Sequence, residues 1–157
     1  MKGPGPMAKS AEQLESSGPF AIQVRVYYED TDAAGVVYYA NYLKFMERAR
    51  TDYLRSLGIG HQAGLKTGEN LAFVVVNADI SYHKPAKLDD ELWVSSLLSK
   101  RGRSVLIFDQ QVRRDNVDGE LLCSGRIRAA CVYADSFKPR SVPDLIGRQT
   151  TLAKESN

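Results

Sequence analysis

The chain has 157 residues, 43% of them hydrophobic and 25% charged, and its formal net charge at neutral pH is +2. This length and composition predict one globular domain with a hydrophobic core of its own. A net charge so close to zero argues against a nucleic-acid partner. No apolar run approaches the roughly 20 residues that a membrane-spanning helix needs, so no membrane span is predicted.

The two ends of the chain are predicted to lie outside the folded domain. Residues 1–19 are rich in Gly, Pro, Ser and charged residues, which predicts a flexible N-terminal arm. They contain no apolar stretch of the kind found in a signal peptide. A single domain is predicted over residues 20–143, and a weakly patterned C-terminal tail follows over residues 144–157, in which Leu145 and Ile146 could dock locally.

The first predicted elements are a strand and a long helix. Apolar and polar side chains alternate over residues 20–28, which is the period of a strand. Over residues 39–57 the apolar side chains recur at three and four residues, which is the period of a helix. Gly58 and Gly60 are predicted to end this helix. A short helical turn is predicted at residues 61–66.

Four further strands are predicted over residues 71–83, 92–100, 105–114 and 121–133. The connections between them are short, which favours antiparallel neighbours over parallel strands joined by crossover helices. One long helix and five antiparallel strands belong to the α+β class. The helix is the only element large enough to cover one face of such a sheet.

The two cysteines of the chain, Cys123 and Cys131, fall in the last predicted strand at an even spacing. They would face the same side, roughly 26 Å apart at about 3.3 Å per residue. A disulfide cannot form within the strand across that distance. Two free thiols are typical of a reducing compartment, so the sequence predicts a cytoplasmic protein.

The stretch RVYYEDTDAAGVVYYANY, residues 25–42, joins the first strand to the helix and is the most informative part of the chain. It contains the carboxylate of Asp32, followed three residues later by Gly35. Backbone N–H groups at a helix start are unpaired and carry partial positive charge. A carboxylate beside them is suited to attack on a carbonyl whose oxygen they polarise. The alternative is that Asp32 is a turn or helix-capping residue.

A calcium loop is the first competing interpretation of this stretch. Asp30, Asp32 and Gly35 fit positions one, three and six of an EF-hand loop. Ala34 and Asn41 then occupy the fifth and twelfth positions, where oxygen ligands and a bidentate Glu are expected. The preceding strand also contradicts a helix-loop-helix unit, so we exclude calcium.

A zinc site and a serine hydrolase are the other competing interpretations. The two histidines, His61 and His83, lie 22 residues apart, with no Cys pair at ligand spacing. No Gly-x-Ser-x-Gly elbow occurs in the sequence. The sequence therefore predicts neither a metal nor a redox cofactor.

The segment RVYYEDTDAAGVVYYANYLKFMERAR resembles the signature of the 4-hydroxybenzoyl-CoA thioesterase branch of the hotdog-fold superfamily. It resembles still more closely the bacterial acyl-CoA thioesterases associated with the Tol-Pal system. The resemblance extends over residues 20–143 and includes the later segments ISYHKPAKLDDEL and FKPRSVP. It implies a hotdog fold, in which a five-stranded antiparallel sheet wraps around one central helix. It also implies dimers that form by joining two sheets edge to edge.

The resemblance assigns two catalytic positions. Asp32 falls on the catalytic carboxylate of the family, and Tyr39 falls where the backbone N–H polarises the thioester carbonyl. Many members associated with Tol-Pal have His at the position of Tyr39, whereas the hydroxybenzoyl type has Tyr. This departure leaves the subfamily and the acyl group open.

Substrate binding is assigned to two groups of residues. Gly35 and Tyr38 belong to the motif itself. The second group is the densest basic cluster of the sequence, which is predicted to clamp the phosphates of coenzyme A. Its residues are Lys100, Arg101, Arg103 and Ser104. A solvated hairpin turn is the alternative interpretation of this cluster.

Three further acidic residues near the motif receive no catalytic role. Glu29 and Asp30 are predicted to be turn residues exposed to solvent. Glu47 lies about 12 Å beyond Tyr39 at roughly 1.5 Å per helical residue, which is too far to act at the helix start of the same subunit. An ion pair with Arg50 on the helix surface is predicted for it instead.

The resulting expectation is an acyl-CoA thioesterase that forms a homodimer or homotetramer. Its Asp acts either as a general base or as a nucleophile, and the sequence does not separate these routes. An acyl carrier protein could replace coenzyme A as the carrier of the substrate. The alternatives are an enoyl-thioester hydratase and a non-catalytic acyl-CoA or acyl-carrier binding module.

Overall fold

The structure is a computed structural model that describes residues 19–59 and 70–149. The predictions for Gly60, for the turn at residues 61–66 and for residues 1–18 of the arm therefore lie outside the described residues. Within the described ranges, no helix is long and apolar enough to cross a membrane.

The described chain contains one long helix and one five-stranded sheet. In chain order the elements are β1 (Phe20–Arg25), a 3-10 turn (Tyr28–Asp30), α1 (Asn41–Ser56), β2 (Ala72–Tyr82), β3 (Glu91–Arg101), β4 (Val105–Arg114), β5 (Leu121–Val132) and α2 (Asp144–Gln149). The sheet has the order β1-β3-β4-β5-β2, and all neighbouring strands are antiparallel. This arrangement confirms the predicted α+β architecture.

Helix α1 covers one face of the sheet and forms the core with it. Its buried apolar side chains are Tyr42, Phe45, Met46, Ala49, Tyr53 and Leu54. They share one hydrophobic cluster with alternate residues of the strands, among them Val94 of β3, Phe108 of β4 and Ile127 of β5. The ring of Tyr53 meets that of Phe108 edge-on, with 6.0 Å between their centres.

A buried polar side chain ties the helix to the middle of the sheet. Gln110 of β4 is 1% exposed, and its Nε2 donates to the carbonyl of Met46 at 3.0 Å. Its Oε1 accepts a hydrogen bond from Arg50 Nη1 at 3.0 Å. A buried amide must have both of its ends satisfied, so this pair of bonds fixes where α1 lies over the strands.

The two edges of the sheet are β1 and β2, because each pairs with one neighbour only. On β2, three consecutive valines, Val74, Val75 and Val76, are 38%, 46% and 55% exposed. The pairing register with β5 shifts between Val75 and Asn77, so Val76 lies at a bulge. Exposed valines along an open strand edge form a surface that is suited to pairing with another strand.

The element boundaries differ from the predictions at both ends of the stretch 25–42. β1 ends at Arg25, and the chain turns through the 3-10 segment Tyr28–Asp30, where a continuous strand was predicted to residue 28. α1 begins at Asn41, so Tyr39 lies in the turn before the helix and not in its first turn. The helix ends before Gly58, whose φ is +89°, as predicted.

The chain beyond β5 packs onto the domain. Residues of α2 include Ile146, which is fully buried and belongs to the main hydrophobic cluster. Cys123 and Cys131 are both buried in β5 as free thiols, as the sequence predicts.

Candidate active site

The segment between β1 and α1 folds into a tight loop around Asp32. Thr31 and Val37 form an isolated antiparallel bridge, and the Asp32 N–H donates to the carbonyl of Val36 at 2.9 Å. The Gly35 N–H donates back to the carbonyl of Asp32 at 3.0 Å. Gly35 has a φ of +81°, a left-handed conformation that disfavours a side chain, so glycine suits this turn.

The far side of the loop is attached to the segment that follows β2. The Val37 N–H donates to the carbonyl of Ala86 at 2.9 Å, and Val36 forms a bridge with Lys87. The hydroxyl of Tyr42 accepts a hydrogen bond from the Ala86 N–H at 3.0 Å. The loop is therefore held against both the sheet and the helix.

The Asp32 carboxylate is exposed and only partly engaged. One of its oxygens, Oδ1, accepts a hydrogen bond from the Ala34 N–H at 2.9 Å, which is the geometry of an Asx turn. Among the described residues the other oxygen has no hydrogen-bond partner. Asp32 is thus a turn residue, as one interpretation of the sequence held, and it also keeps a free oxygen that can accept a proton or attack a carbonyl.

The start of α1 is left open beside this loop. Its N-cap residue is Ala40, which has no side-chain oxygen, and its first turn contains no acidic residue. Within the described part of the chain, no partner accepts a hydrogen bond from the N–H of Tyr39 or of Ala40. A helix start without a cap retains its unpaired donors and its partial positive charge, which makes it a site for a developing oxyanion.

Tyrosine rings surround this helix start. Tyr38, Tyr39 and Tyr82 are 47%, 62% and 48% exposed. The ring centres of Tyr38 and Tyr39 are 4.9 Å apart, and those of Tyr39 and Tyr82 are 6.2 Å apart. The Tyr82 hydroxyl donates to the carbonyl of Tyr39 at 2.8 Å. Sequence analysis missed Tyr82, because its strand position gave no sign that it reaches the helix start.

Tyr42 has a different role from its neighbours. It is 3% exposed, and burial raises the pKa of its hydroxyl. Its ring centre lies 5.6 Å from that of Tyr82 and 6.2 Å from that of Phe45. Tyr42 is therefore a core residue that supports the exposed rings.

The prediction that Asp30 is exposed is wrong. Asp30 is 7% exposed, and both of its carboxylate oxygens accept hydrogen bonds. Oδ2 accepts from the Tyr27 N–H at 2.9 Å, and Oδ1 accepts from Asn41 Nδ2 at 2.7 Å. The physical reason is the 3-10 turn, which directs this side chain inward toward the helix start. Glu29 in the same turn is exposed, as predicted.

The predicted ion pair between Glu47 and Arg50 is not formed, because each side chain contacts a different residue. Glu47 is exposed on α1, and its Oε2 accepts a hydrogen bond from the Thr51 hydroxyl at 2.7 Å. The Arg50 guanidinium points to Gln110. Burial lowers the pKa of Arg50, and the nearby charge of Glu47 offsets part of that shift.

The predicted phosphate clamp lies at the opposite end of the sheet from Asp32. β1 leads into the catalytic loop at Arg25, which pairs with Glu91 at the start of β3. β3 then runs to Arg101, a distance of about 33 Å at roughly 3.3 Å per residue. One chain therefore does not bring the basic cluster and the Asp32 loop together.

The members of the clamp are not equivalent. Lys100 and Arg103 are exposed at the β3–β4 turn. Arg101 instead donates to the carbonyl of Val142 at 2.9 Å and so holds the segment before α2. Ser104 accepts a hydrogen bond from the Cys131 N–H through its backbone carbonyl at 2.7 Å. Lys100 and Arg103 are thus the two cationic members of the cluster whose side chains are exposed to meet an anion.

Two basic side chains of the segments beside the Asp32 loop are paired with carboxylates. Lys84 Nζ lies 3.1 Å from Glu120, and Arg114 contacts both Glu120 and Asp90. The Lys84 ammonium, with Arg114, lowers the pKa of Glu120. These two cations are largely neutralised, whereas Lys87, which forms a bridge with Val36, is exposed and has no ion pair with another described residue.

No metal-binding group appears in residues 19–59 and 70–149, where no three His, Cys, Asp or Glu side chains are arranged to hold an ion. The Asp30 oxygens, which an EF-hand would need, bind the Tyr27 N–H and the Asn41 amide. A groove of about 790 Å³ lies between β1 and α1 and includes neither Asp32 nor Tyr39 in its lining.

Comparison with known proteins identifies the family of the chain. The family model described as "Thioesterase superfamily" matches residues 34–120, more than half of the chain. The match begins two residues after Asp32. Among curated relatives, the acyl-CoA thioesterase YbgC of Haemophilus influenzae is 44% identical over 79% of this chain and 88% of its own length. The acyl-CoA thioesterase YbgC of Helicobacter pylori is 33% identical over 79% and 94%.

Solved structures of thioesterases share the fold. A 1,4-dihydroxy-2-naphthoyl-CoA thioesterase from Synechocystis superposes with a TM-score of 0.76 at 25% identity, over 85% of this chain and 96% of that one. A probable thioesterase from Bartonella henselae gives 0.72 at 33% identity, over 78% and 98%. These similarities confirm the resemblance drawn from the motif, and the chain therefore belongs to the thioesterase superfamily and has its hotdog fold.

Proposed function

We propose that this protein hydrolyses an acyl-CoA thioester to a free acid and coenzyme A. Its 44% identity to a curated acyl-CoA thioesterase over most of both chains supports the reaction. The observation that carries the proposal is the uncapped start of α1, where the N–H groups of Tyr39 and Ala40 have no partner among the described residues. An exposed carboxylate, Asp32, stands in the loop that leads to it.

In this mechanism the thioester carbonyl oxygen lies against the helix start. The Tyr39 N–H donates to that oxygen as negative charge develops on it, and the helix dipole adds to the stabilisation. Asp32 either removes a proton from the attacking water or attacks the carbonyl itself. Coenzyme A then leaves as the thiolate and takes up a proton.

The two roles of Asp32 predict different fates for the oxygen of water. As a general base, Asp32 directs water to the acyl carbonyl, so a single turnover in water labelled with heavy oxygen places the label in the product acid. As a nucleophile, it forms a mixed anhydride. Attack of water on the Asp32 carbonyl of that anhydride leaves the label on Asp32 and an unlabelled acid. Label on Asp32 together with an unlabelled acid, found by mass spectrometry after one turnover, therefore identifies the nucleophilic route.

The alternatives fit the site less well. Hydration of an enoyl thioester usually requires a His with a carboxylate, and His83 Nε2 contacts the Ser124 hydroxyl at 2.9 Å instead of a carboxylate. A binding module would have no use for a carboxylate beside the helix start. Such a module would keep its affinity for acyl-CoA after loss of the Asp32 charge, and it would show no turnover.

Assembly is part of the proposal, because one chain separates the catalytic loop from the basic cluster. We assign the open edge of β2 to pairing with β2 of a second copy, which gives a dimer at least. In an antiparallel pair, the Ala72 end of one strand lies beside the Tyr82 end of the other. The partner's basic cluster then approaches this chain's helix start. Each active site would thus use two chains.

The acyl group, the carrier and the cellular setting remain predictions. The exposed rings of Tyr38, Tyr39 and Tyr82 form an aromatic surface where the acyl group would enter. Coenzyme A is the proposed carrier, with an acyl carrier protein as the alternative. A cytoplasmic location and an association with the Tol-Pal system follow from the free thiols and the motif resemblance, respectively.

The direct test measures hydrolysis of short, long and aromatic acyl-CoAs through release of the coenzyme A thiol. We expect turnover of at least one class by the wild-type protein. Acyl groups on an acyl carrier protein form a second arm, which measures the preferred carrier. Binding without turnover across the whole panel would favour the binding module.

A further inference from the structure

Asp30 and Asn41 form a buried contact that the proposed reaction does not itself use. Asp30 belongs to the 3-10 turn after β1, and Asn41 is the first residue of α1. They are 7% and 6% exposed. Their side chains meet through the bond from Asn41 Nδ2 to Asp30 Oδ1 at 2.7 Å. A buried carboxylate is costly unless it is hydrogen-bonded, so this contact requires an explanation.

Three separate points of the catalytic loop converge on Asp30. Its Oδ2 accepts from the Tyr27 N–H at 2.9 Å, at the exit of β1. Its backbone carbonyl accepts from the Tyr38 N–H at 2.9 Å, where the loop returns. Its Oδ1 accepts from Asn41, at the helix start. One residue therefore joins the beginning of the loop, its end and the helix.

These contacts bracket the two groups to which the chemistry is assigned. Tyr39 lies directly after Tyr38 and two residues before Asn41, and both of these bind Asp30. Asp32 lies two residues after Asp30. Asp30 therefore joins the chain segments that carry the Asp32 carboxylate and the Tyr39 N–H.

We infer that the Asp30–Asn41 pair is a positioning device, which holds the Asp32 carboxylate against the oxyanion site at the start of α1. The inference rests on the proposed function. Reactions of this kind are sensitive to misplacement of the reacting groups by fractions of an ångström, so a looser loop lowers the rate of the chemical step. Binding of the nucleotide, which would involve distant basic groups, is left unchanged.

Reciprocal exchange of the two residues tests this inference. Asn41→Asp sets two carboxylates against each other, and we expect kcat to fall at least about thirtyfold with KM within about threefold of wild type. In the double variant Asp30→Asn/Asn41→Asp, the amide of residue 30 can donate to the new carboxylate and still accept from the Tyr27 N–H. We expect this exchange to restore kcat to within about fivefold of wild type.

A matched control and a folding measurement accompany the exchange. Asn116→Asp makes the same change of charge in the β4–β5 turn, where Asn116 Oδ1 accepts from the Asp118 N–H, a role that a carboxylate keeps. Asn41→Ala removes the donor without adding charge and should lower kcat by less than Asn41→Asp does. Circular dichroism and thermal melting give the folded fraction of each variant, and kcat is expressed per folded chain.

Failure of this inference differs from failure of the proposed function. If the wild type hydrolyses no acyl-CoA, the proposed function fails and the exchange is not needed to show it. If the wild type turns over and Asn41→Asp keeps its kcat per folded chain, the positioning role is overturned. A double variant no faster than Asn41→Asp would overturn it as well.

Discussion

The two ends of the sheet place their polar groups in opposite situations. At the end near Asp32, the loop from Tyr27 to Asn41 is held by short backbone and side-chain hydrogen bonds. Two nearby cations there, Lys84 and Arg114, are paired, and Lys87 is not. At the far end, Lys100 and Arg103 are exposed, with no ion pair to another described residue. One end is built for fixed geometry, and the other for available charge.

This difference explains how a small domain can serve a large substrate. The reacting thioester needs precise positions, whereas the nucleotide end needs positive charge. The two requirements are separated by about 33 Å along β3, at roughly 3.3 Å per residue. Pairing of two chains through β2 would bring unlike ends together. Each of the following changes affects one end more than the other.

The largest effect is expected at the catalytic end. Asp32→Asn keeps the shape of the side chain but removes the base or nucleophile, so kcat should fall at least about a hundredfold. Release of coenzyme A under saturating substrate measures it. Glu29→Gln is the matched control, because it neutralises an exposed carboxylate in the adjoining turn.

Near-wild-type turnover by the Asp32 variant would remove the catalytic assignment. Tyr39→Phe separates the side chain from the backbone at the oxyanion site. It should retain most activity, since the role is assigned to the N–H. A large loss there would mean that the phenol hydroxyl takes part in the chemistry.

The next effect concerns the pairing that joins the ends. Val76→Lys places a charge at the bulge of the open β2 edge, and charged edge residues oppose strand pairing. We expect dissociation to a monomer by light scattering, with kcat/KM at least about tenfold lower because each site loses its partner groups. Val117→Lys, at 50% exposure in the β4–β5 turn, is the control for the 55% exposed Val76. A fully active monomer would exclude the shared site.

At the basic end, a change in binding rather than rate is expected. Lys100→Gln/Arg103→Gln leaves Arg101 in its contact with Val142 and should raise KM for acyl-CoA about tenfold. Contacts remote from the thioester bind ground state and transition state about equally, so kcat should change less. An acyl-pantetheine substrate, which lacks the nucleotide, should show almost no penalty.

An equal KM penalty on both substrates would show that the basic cluster acts on folding or assembly. Lys44→Gln/Arg55→Gln serves as the control, because it removes the same charge from exposed positions on α1.

A smaller effect is expected for the ring that reaches the helix start. Tyr82→Phe removes the hydroxyl that donates to the carbonyl of Tyr39 at 2.8 Å. One such bond contributes about 1 kcal/mol, so kcat should fall by about threefold to fivefold with the aromatic surface preserved. Tyr133→Phe is the control, an exposed tyrosine at the far end. An unchanged kcat would mean that Tyr42 and the loop suffice to hold the helix start.

The sequence predicted the fold better than the details of the site. Strand periodicity and the helical stripe located all five strands and α1 to within about three residues, since burial of one face fixes those periods. The motif assigned catalytic roles to Asp32 and Tyr39, and these roles stay predictions. The burial of Asp30 was not predicted, because it depends on a 3-10 turn that a strand-like alternation of side chains does not indicate. The role of Arg101 was not predicted either, because its partner Val142 lies far along the chain.

The smallest effect is expected in the alkylation rates of the two thiols, one near each end of the sheet. Burial raises the pKa of Cys123 to about 12. Burial also raises the pKa of Cys131, but Arg140 and Arg101 at the basic end lower it again in part. The thiolate is the reactive form, so a raised pKa slows alkylation at a given pH. At about pH 8, close to the usual thiol pKa, Cys131 should react faster than Cys123, and both more slowly than in denaturant.

Mass spectrometry of the two cysteine peptides after timed alkylation measures this order. Arg140→Gln removes one stabilising charge from the Cys131 thiolate and should slow that thiol without changing Cys123, which pairs with Tyr82 at the catalytic end. If Cys123 is alkylated at its denatured rate in the native protein, the β5 segment beneath the catalytic loop opens readily. That result would contradict the proposal that the catalytic end of the sheet is rigid.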